Sequence, residues 1–107
     1  MGLSPLGSIA RQLLELGYTA RVPIIAVFFG IVIRMFYREH EPAHFHAEHR
    51  GEHAKFDLDE KLIAGEIRSR KARGLIRDWA ALHRRELQAN WEKMQAGQAL
   101  DSIEPLQ

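Results

Sequence analysis

Cysteine is absent from this chain of 107 residues. Disulfides, thiolate metal sites and a cysteine nucleophile are therefore excluded, and this composition fits a reducing cytoplasm. An excess of charge is also missing, because 15 Lys and Arg against 14 Asp and Glu leave a net charge of +1. A balance so close to zero gives the whole chain no general attraction to nucleic acid or to a membrane surface.

A long apolar run is missing too. The longest, residues 24–33, is interrupted by Gly30 and has half of the ~20 residues that a membrane-spanning helix needs. The amino terminus has neither the basic start nor the small-residue cleavage site of a secretion signal. We therefore expect a cytoplasmic protein with no membrane partner, and the length fits one domain with one modest core.

Histidine, in contrast, is concentrated in one short stretch. Five of the six histidines fall between positions 40 and 53, namely His40, His44, His46, His49 and His53. Histidine titrates near neutral pH, transfers protons and binds metals. This cluster is therefore the strongest indication of chemistry in the chain.

The sequence predicts an α+β fold, in which an antiparallel β-meander of four to five strands is packed on one face by a long C-terminal helix. Residues 1–21 are expected to be a loosely attached extension, either a short helix or disordered, and residues 22–107 a single α+β domain. The predicted elements are strands at 24–29, 31–38, 43–49, 52–58 and 62–67, a helix at 70–96, and a tail that packs back on the core through Leu100, Ile103 and Leu106.

Side-chain alternation divides the second predicted hairpin between two faces of the sheet. A tight turn at 50–51 directs Phe45 and Phe56 toward the core, which the helix should cover. The opposite, polar face then carries His44 opposite Asp57, His46 opposite Lys55, Glu48 opposite His53, and Arg34 from the preceding strand.

One interpretation of this polar face is a metal site. His44 and His46 would bind one divalent ion such as zinc, and His40 or Asp57 would supply a third ligand. One coordination position would stay open, as in catalytic zinc sites. His-x-His is a short pattern, so the alternatives below stay open.

A second interpretation is metal-free acid–base chemistry at the same histidines. Asp57 would orient a histidine, while Arg34 and Lys55 would stabilise a phosphate-like oxyanion. Such a set suits RNA cleavage, in which the ribose 2′-hydroxyl is the nucleophile. The third interpretation is an ordinary solvated sheet face, because polar alternation is the default for half-buried strands.

The predicted helix has a basic stripe made of Arg70, Arg73 and Arg77. These residues are candidate contacts to RNA phosphates, although a solvated helix face is the commoner explanation of such stripes. His83 lies on the apolar stripe of the same helix. Because a buried polar residue needs a hydrogen-bond partner, we predict a structural histidine bonded to a backbone carbonyl.

Several stretches together resemble a bacterial family catalogued as domain of unknown function 4160. They are Pro23-Ile24, residues 39–46 (EHEPAHFH), residues 82–91 (LHRRELQANW) and residues 103–106 (IEPL). The family usually has a second proline where this chain has Ala43. Residues 1–21 precede the usual start of the family.

The resemblance implies no settled activity. Such proteins are often encoded beside another small protein, in an arrangement that looks like a toxin–antitoxin pair. Our leading hypothesis is therefore a component of a toxin–antitoxin-like module that acts on or binds RNA through the histidine-bearing face, with a small cognate protein encoded nearby as its partner. The alternative is a noncatalytic binding module or a histidine-based metal-binding module.

Overall fold

The computed structural model describes residues 23–107, which form a five-stranded sheet and two helices. The prediction for residues 1–21 lies outside the described residues. The elements in chain order are β1 (Ile24–Phe28), β2 (Ile31–Arg34), β3 (His44–His49), β4 (Glu52–Asp57), β5 (Leu62–Glu66), α1 (Arg70–Leu82) and α2 (Arg84–Gln95). Neither of these helices has the length and apolar character that crossing a bilayer requires.

The sheet is the antiparallel meander that the sequence predicts. Its strand order is the order of the chain, so each strand pairs with its neighbours in sequence. The predicted register of β3 and β4 is confirmed: His44 with Asp57, Phe45 with Phe56, His46 with Lys55, Ala47 with Ala54 and Glu48 with His53. A slip of one residue would have exchanged the two faces, so this register puts the histidines and the core aromatic residues on opposite sides.

Trp79 of α1 contacts the core face of the sheet. Its ring centroid lies 5.4 Å from that of Phe28 and 5.9 Å from that of Phe45. Phe45 also stacks on Phe56 across the β3–β4 pair, with centroids 5.6 Å apart. Each such large apolar side chain contributes about 1.5–3 kcal/mol when buried, so this cluster is a major source of stability.

The C-terminal tail packs back on the core, as predicted. Ile103 is buried, and its backbone N–H donates to the carbonyl oxygen of Ile25 in β1 at 2.8 Å. Leu100 and Leu106 are partly buried against the same cluster. The tail thus continues the core beyond the end of α2.

The prediction of one helix over residues 70–96 is wrong, because the helix is broken at His83. His83 has φ −116° and ψ 26°, and its N–H is shared between two carbonyls of α1. The break contains neither proline nor glycine, so the hydrophobic period does not reveal it. As a consequence, Trp79 of α1 contacts the core face, whereas Trp91 of α2 reaches His44 at the start of β3.

The second strand is shorter than predicted and ends at Arg34 instead of residue 38. Arg38 has φ 67°, a value that a regular strand does not accommodate. Residues 35–43, here called the cover loop, leave the sheet at this point. The loop places Phe36 and Glu39 against the histidines of β3.

Candidate functional site

His44 and His46 are buried side by side on β3, on the face opposite the aromatic core. The sequence pattern is that of a polar face turned to water, yet His44 is only 6% exposed and His46 only 2%. The cover loop accounts for the difference, because Phe36 stacks on His46 with ring centroids 4.1 Å apart. The ring of Trp91 is tilted against that of His44, with centroids 5.2 Å apart. The two histidines therefore form an internal cluster.

A single carboxylate oxygen joins the two rings. Oε1 of Glu39 lies 2.7 Å from Nε2 of His44 and 2.6 Å from Nε2 of His46. The other ring nitrogens are engaged as well: Nδ1 of His44 lies 2.9 Å from the carbonyl oxygen of Pro42, and Nδ1 of His46 lies 2.8 Å from Nε2 of His53. The hydrogen bonds therefore run continuously from the exposed His53 to the cover loop.

Hydrogen-bond chemistry restricts the protonation of His44. A carbonyl oxygen only accepts, so Nδ1 carries a proton in order to bond to Pro42. The carboxylate of Glu39 also only accepts, so Nε2 either carries a second proton or gives its lone pair to a cation held between them. The metal-free form of this contact is an imidazolium paired with a carboxylate, and the alternative is a neutral ring on a metal ion.

The electrostatics agree with an ionised Glu39 and a neutral His46. Partial burial raises the pKa of Glu39, but the hydrogen bonds and charges of His46 and His44 outweigh it and hold that pKa below its ordinary value. Burial lowers the pKa of His46, against the opposing hydrogen bond to Glu39. A neutral His46 with its proton on Nε2 donates to Glu39 and accepts at Nδ1 from Nε2 of His53. Each of these two hydrogen bonds therefore has one donor and one acceptor.

Glu39, His44 and His46 together have the donor set of a divalent metal site. Their three ligand atoms lie within 4.8 Å of one another. Zinc sites use two imidazole nitrogens and one carboxylate oxygen in this way, with bonds of about 2.0–2.1 Å that hold the ligand atoms about 3.3 Å apart. The present N···O separations of 2.6 and 2.7 Å would then widen by about 0.6 Å. An outer bond from Nδ1 to a backbone carbonyl, such as that of His44 to Pro42, is a usual support of metal-bound histidines, and His53 takes this position for His46.

Asp57 lies opposite His44, as predicted, but its carboxylate has other partners. Oδ1 accepts the backbone N–H groups of Asp59 and Lys61 at 2.8 and 2.9 Å and thereby closes the β4–β5 turn. The carboxylate that contacts the His44 ring is that of Glu39.

The remaining predicted residues of this face lie around the cluster. Arg34 donates from Nε to the carboxylate of Glu48 at 3.0 Å. Lys55 lies opposite His46 in the register of β3 and β4. His40 is exposed in the cover loop, and it is not part of the metal-ligand group found within residues 23–107.

The three arginines predicted to contact phosphate lie on α1, and one of them is engaged in hydrogen bonds within the described chain. Arg73 donates from Nη1 to the carbonyl oxygens of Ile67 and Arg68 at 2.7 and 2.9 Å, so it fastens the connection between β5 and α1. Arg70 and Arg77 are exposed. Of the three side chains, these two remain available to a ligand.

His83 has the predicted structural role, but its hydrogen-bond partner differs from the predicted one. Its Nδ1 bonds to the carboxylate of Glu86 instead of to a backbone carbonyl. Its ring lies 5.6 Å from that of Trp79, at the break between the helices. The helical side chain that contacts a strand histidine is Trp91.

Glu39 is absent from the residues predicted for the site, although it holds the two histidines together. It is the first residue of the stretch at 39–46 that carries the family resemblance, so the sequence did contain a signal for it. A local pattern does not show that the loop folds back over β3, and that fold-back is what brings residue 39 to its partners.

The fold and the cluster define a small α+β protein with two buried histidines and one half-buried glutamate on one face of an antiparallel sheet. Residues 30–92 match the family described as domain of unknown function (DUF4160), and the chain belongs to this family. The match includes the cover loop, the histidine strand and both tryptophans of the helices. A comparison with curated proteins gave no match, and neither did a comparison with solved structures.

Proposed function

We propose that the protein is a noncatalytic metal-binding module in which Glu39, His44 and His46 hold one divalent ion. The observation that carries the proposal is the convergence of two Nε2 atoms on one carboxylate oxygen. The carbonyl of Pro42 fixes the proton of a neutral His44 on Nδ1. The lone pair of Nε2 then points to the position shared with Glu39, as in metal sites with an outer hydrogen bond.

The donor set favours zinc among the common metals. Imidazole nitrogen suits zinc, whereas calcium and magnesium prefer sites built of oxygen ligands. Charge also favours a cation, because the ionised Glu39 faces a neutral His46 in this buried setting. A divalent ion bound by both histidines would replace the second proton on Nε2 of His44. The single proton of a neutral His46 would then lie on Nδ1 instead of Nε2 and donate to Nε2 of His53.

Burial favours a role in fastening the structure over a role in catalysis. Phe36 and Trp91 lie against the two histidine rings, which leaves little space for a substrate beside the ion. Glu39 belongs to the cover loop and the histidines to β3, so the ion would join loop and sheet. Metal binding would then be coupled to the order of the loop.

The test is a zinc titration of the full chain after removal of metal by a chelator, followed by calorimetry and by the visible spectrum of the cobalt-substituted protein. We expect saturation at one ion per chain near stoichiometric metal, and a higher melting temperature. Excess ligand at about 100 times its dissociation constant stabilises a fold by about 2.7 kcal/mol. Glu39→Gln and His46→Gln should abolish this saturable binding.

His40→Gln is the matched control, because it removes the same type of side chain from the same loop without touching the cluster. It should bind zinc as the wild type does. The proposal is overturned if the wild type takes up no ion, or if His40→Gln loses the ion while Glu39→Gln retains it.

A second proposal is the toxin–antitoxin-like component that acts on RNA in the cytoplasm together with a small cognate protein. The observation in its favour is that His53, at the outer end of the hydrogen-bond chain, is exposed on the face that also carries Lys55 and Arg34. Expression without a partner should then inhibit growth, and His53→Ala should relieve the inhibition. Harmless expression of the wild-type chain would remove this proposal.

A further inference from the structure

The two hairpin turns at one end of the sheet carry residues that such turns seldom use. Residues 29–30 connect β1 to β2, and residues 50–51 connect β3 to β4. The turns are neighbours, because Ile31 pairs with His49. Their φ values are 50° and 77° in the first turn and 50° and 81° in the second, the positive pair that a type I′ turn requires. The first position of this turn favours Asn or Asp, yet here it is Phe29 or Arg50.

Phe29 is unfavourable for the fold in two separate ways. A bulky side chain at positive φ strains the backbone, and a phenylalanine that is 60% exposed gains little from the core. Backbone strain of this kind persists where the surrounding structure imposes it, and it is concentrated at ligand-binding and active-site positions. The position of Phe29 therefore indicates a ligand with a flat or apolar part.

Phe29 and Arg50 line the same open cavity of about 520 Å³, here called the turn cavity. Its other walls include His49, Lys71 and Leu75, from the end of β3 and the first turns of α1. The volume lies within the range of about 300–1,000 Å³ that is typical of small-molecule pockets. The cavity lies at the hairpin end of the sheet and does not include Glu39, His44 or His46.

The charge of the turn cavity is positive. Arg50 and Lys71 supply two cationic side chains, and no carboxylate is among the lining residues in the part of the chain that the structure describes. Among residues 23–107, neither side chain has a carboxylate as a salt-bridge partner. Arg50 also lines an adjoining hollow that contains Glu48 and Glu52, but these two carboxylates have cationic partners of their own, Arg34 and Arg68. Within residues 23–107, an anion would therefore find two positive charges without a carboxylate partner beside one aromatic face.

We propose that the turn cavity binds a nucleoside phosphate, with the base against Phe29 and the phosphate between Arg50 and Lys71. Stacking on an aromatic ring accepts any base, because every base has a π-face, and cations beside it hold the backbone phosphate. A free mononucleotide and one nucleotide of a single-stranded RNA present the same chemistry. The proposal does not depend on the metal site, which lies at other residues.

The test measures binding of three probes to the full chain: adenosine monophosphate, inorganic phosphate, and a short fluorescein-labelled single-stranded oligoadenylate. Phe29→Asn should raise the melting temperature, because Asn suits the turn, and should weaken nucleotide binding by about tenfold to a hundredfold, the loss expected for one stacked base. Lys71→Gln should weaken the nucleotide probes by about tenfold or more, the usual effect of losing one charged hydrogen bond. Phe29→Tyr should retain binding.

Two controls remove the same kinds of group elsewhere. Leu82→Asn replaces an apolar side chain that is 69% exposed, and Arg85→Gln replaces an exposed cation of α2. Both should bind the nucleotide probes as the wild type does.

The probes also distinguish the two sources of the ligand. Binding of the mononucleotide points to a free nucleotide as the ligand, and binding of the oligonucleotide alone points to RNA. The proposal fails if neither nucleotide probe binds, if inorganic phosphate binds as tightly as the nucleotides, or if Phe29→Asn leaves their affinity unchanged.

Discussion

His53 hydrogen-bonds His46 across the β3–β4 pair, with Nε2 and Nδ1 2.8 Å apart. The ring planes are within 16° of parallel and the centroids are 5.0 Å apart, as expected when the bond lies close to both planes. His46 is buried and His53 is exposed, so this contact connects the internal cluster to the surface. A ring held at Nδ1 in this way keeps its Nε2 directed at Glu39.

His53→Ala is expected to weaken zinc binding without abolishing it. The substitution removes the outer partner of His46, and loss of such a partner typically lowers metal affinity by about 10–100-fold. Competition calorimetry against a chelator of known affinity measures the change, and the stoichiometry should stay at one ion per chain. His49→Ala is the control, since His49 lies on the other face of β3. Equal affinity in wild type and His53→Ala would contradict a supporting role for His53.

Gly65→Ala is expected to disrupt the pairing of β4 with β5. Gly65 has φ 79°, and an added Cβ would lie 2.3 Å from the carbonyl oxygen of His53 and 2.9 Å from Cα of Ala54. Both obstacles are backbone atoms and cannot move aside without shifting β4. We expect a loss of stability of roughly 2 kcal/mol or more in chemical denaturation, the sum of strain and steric overlap.

Gly74→Ala is the matched counterpart, with the opposite sign. Gly74 lies inside α1, and an added Cβ there meets nothing within 4 Å. Alanine in a helix interior is about 1 kcal/mol more favourable than glycine, so the free energy of unfolding should rise by roughly that amount. If both substitutions destabilise the protein, the contrast between a sterically blocked Gly65 and an unobstructed Gly74 is wrong.

Glu52→Gln is expected to destabilise the protein at neutral pH but not in acid. The backbone N–H and the guanidinium of Arg68 bond to the carboxylate and hold the pKa of Glu52 below its ordinary value of 4.5. A lowered pKa in the folded state means that the ionised form stabilises the fold. This contribution is complete above pH 4.5 and is lost as the pH falls through the folded-state value.

Melting temperatures of wild type and Glu52→Gln across a pH series check this sign. The two curves should be separate near pH 7 and converge at acid pH. Asp78→Asn, on the exposed side of α1, is the control and should follow the wild type. A gap that widens on acidification would contradict the assigned direction.

Asn90→Ala is expected to loosen the C-terminal tail. Asn90 is 1% exposed, and its side-chain amide donates to the carbonyl oxygen of Asp101 and accepts from the N–H of Asp101, both at 2.9 Å. Removal leaves two backbone groups without their partner, which costs about 1–3 kcal/mol. Urea denaturation measures the loss, and Gln88→Ala on the exposed side of α2 should stay within about 0.5 kcal/mol of wild type. An effect of Asn90→Ala as small as that of Gln88→Ala would exclude the anchoring role.

The meander and the register of its second hairpin could be predicted from the sequence, because both depend on local signals. Alternation with a period of two separates Phe45 and Phe56 from His44, and the tight turn at 50–51 fixes which residues face each other. The packing of the tail was also predicted, because Leu100, Ile103 and Leu106 recur every three residues in an otherwise largely polar segment, and all three lie in or against the core.

The candidate site could be predicted only in part. The pattern identifies His44 and His46 as neighbours on one face, but it assigns their carboxylate to Asp57, the nearest acidic side chain in the register. The structure uses Asp57 to close a turn and brings Glu39 to the rings. The choice between two carboxylates depends on the path of a loop, which no strand pattern encodes.

The sequence by itself determined the strand order, the two faces of the sheet and membership in the family, because these follow from residue periodicity, turn residues and motifs within short stretches. Only the tertiary structure decided that the histidine face is closed. The cover loop brings Phe36 and Glu39 onto that face, and α2, which begins after the helix break at His83, brings Trp91. Contacts between distant segments depend on packing in three dimensions, so a local pattern names the residues of this site without showing that they meet.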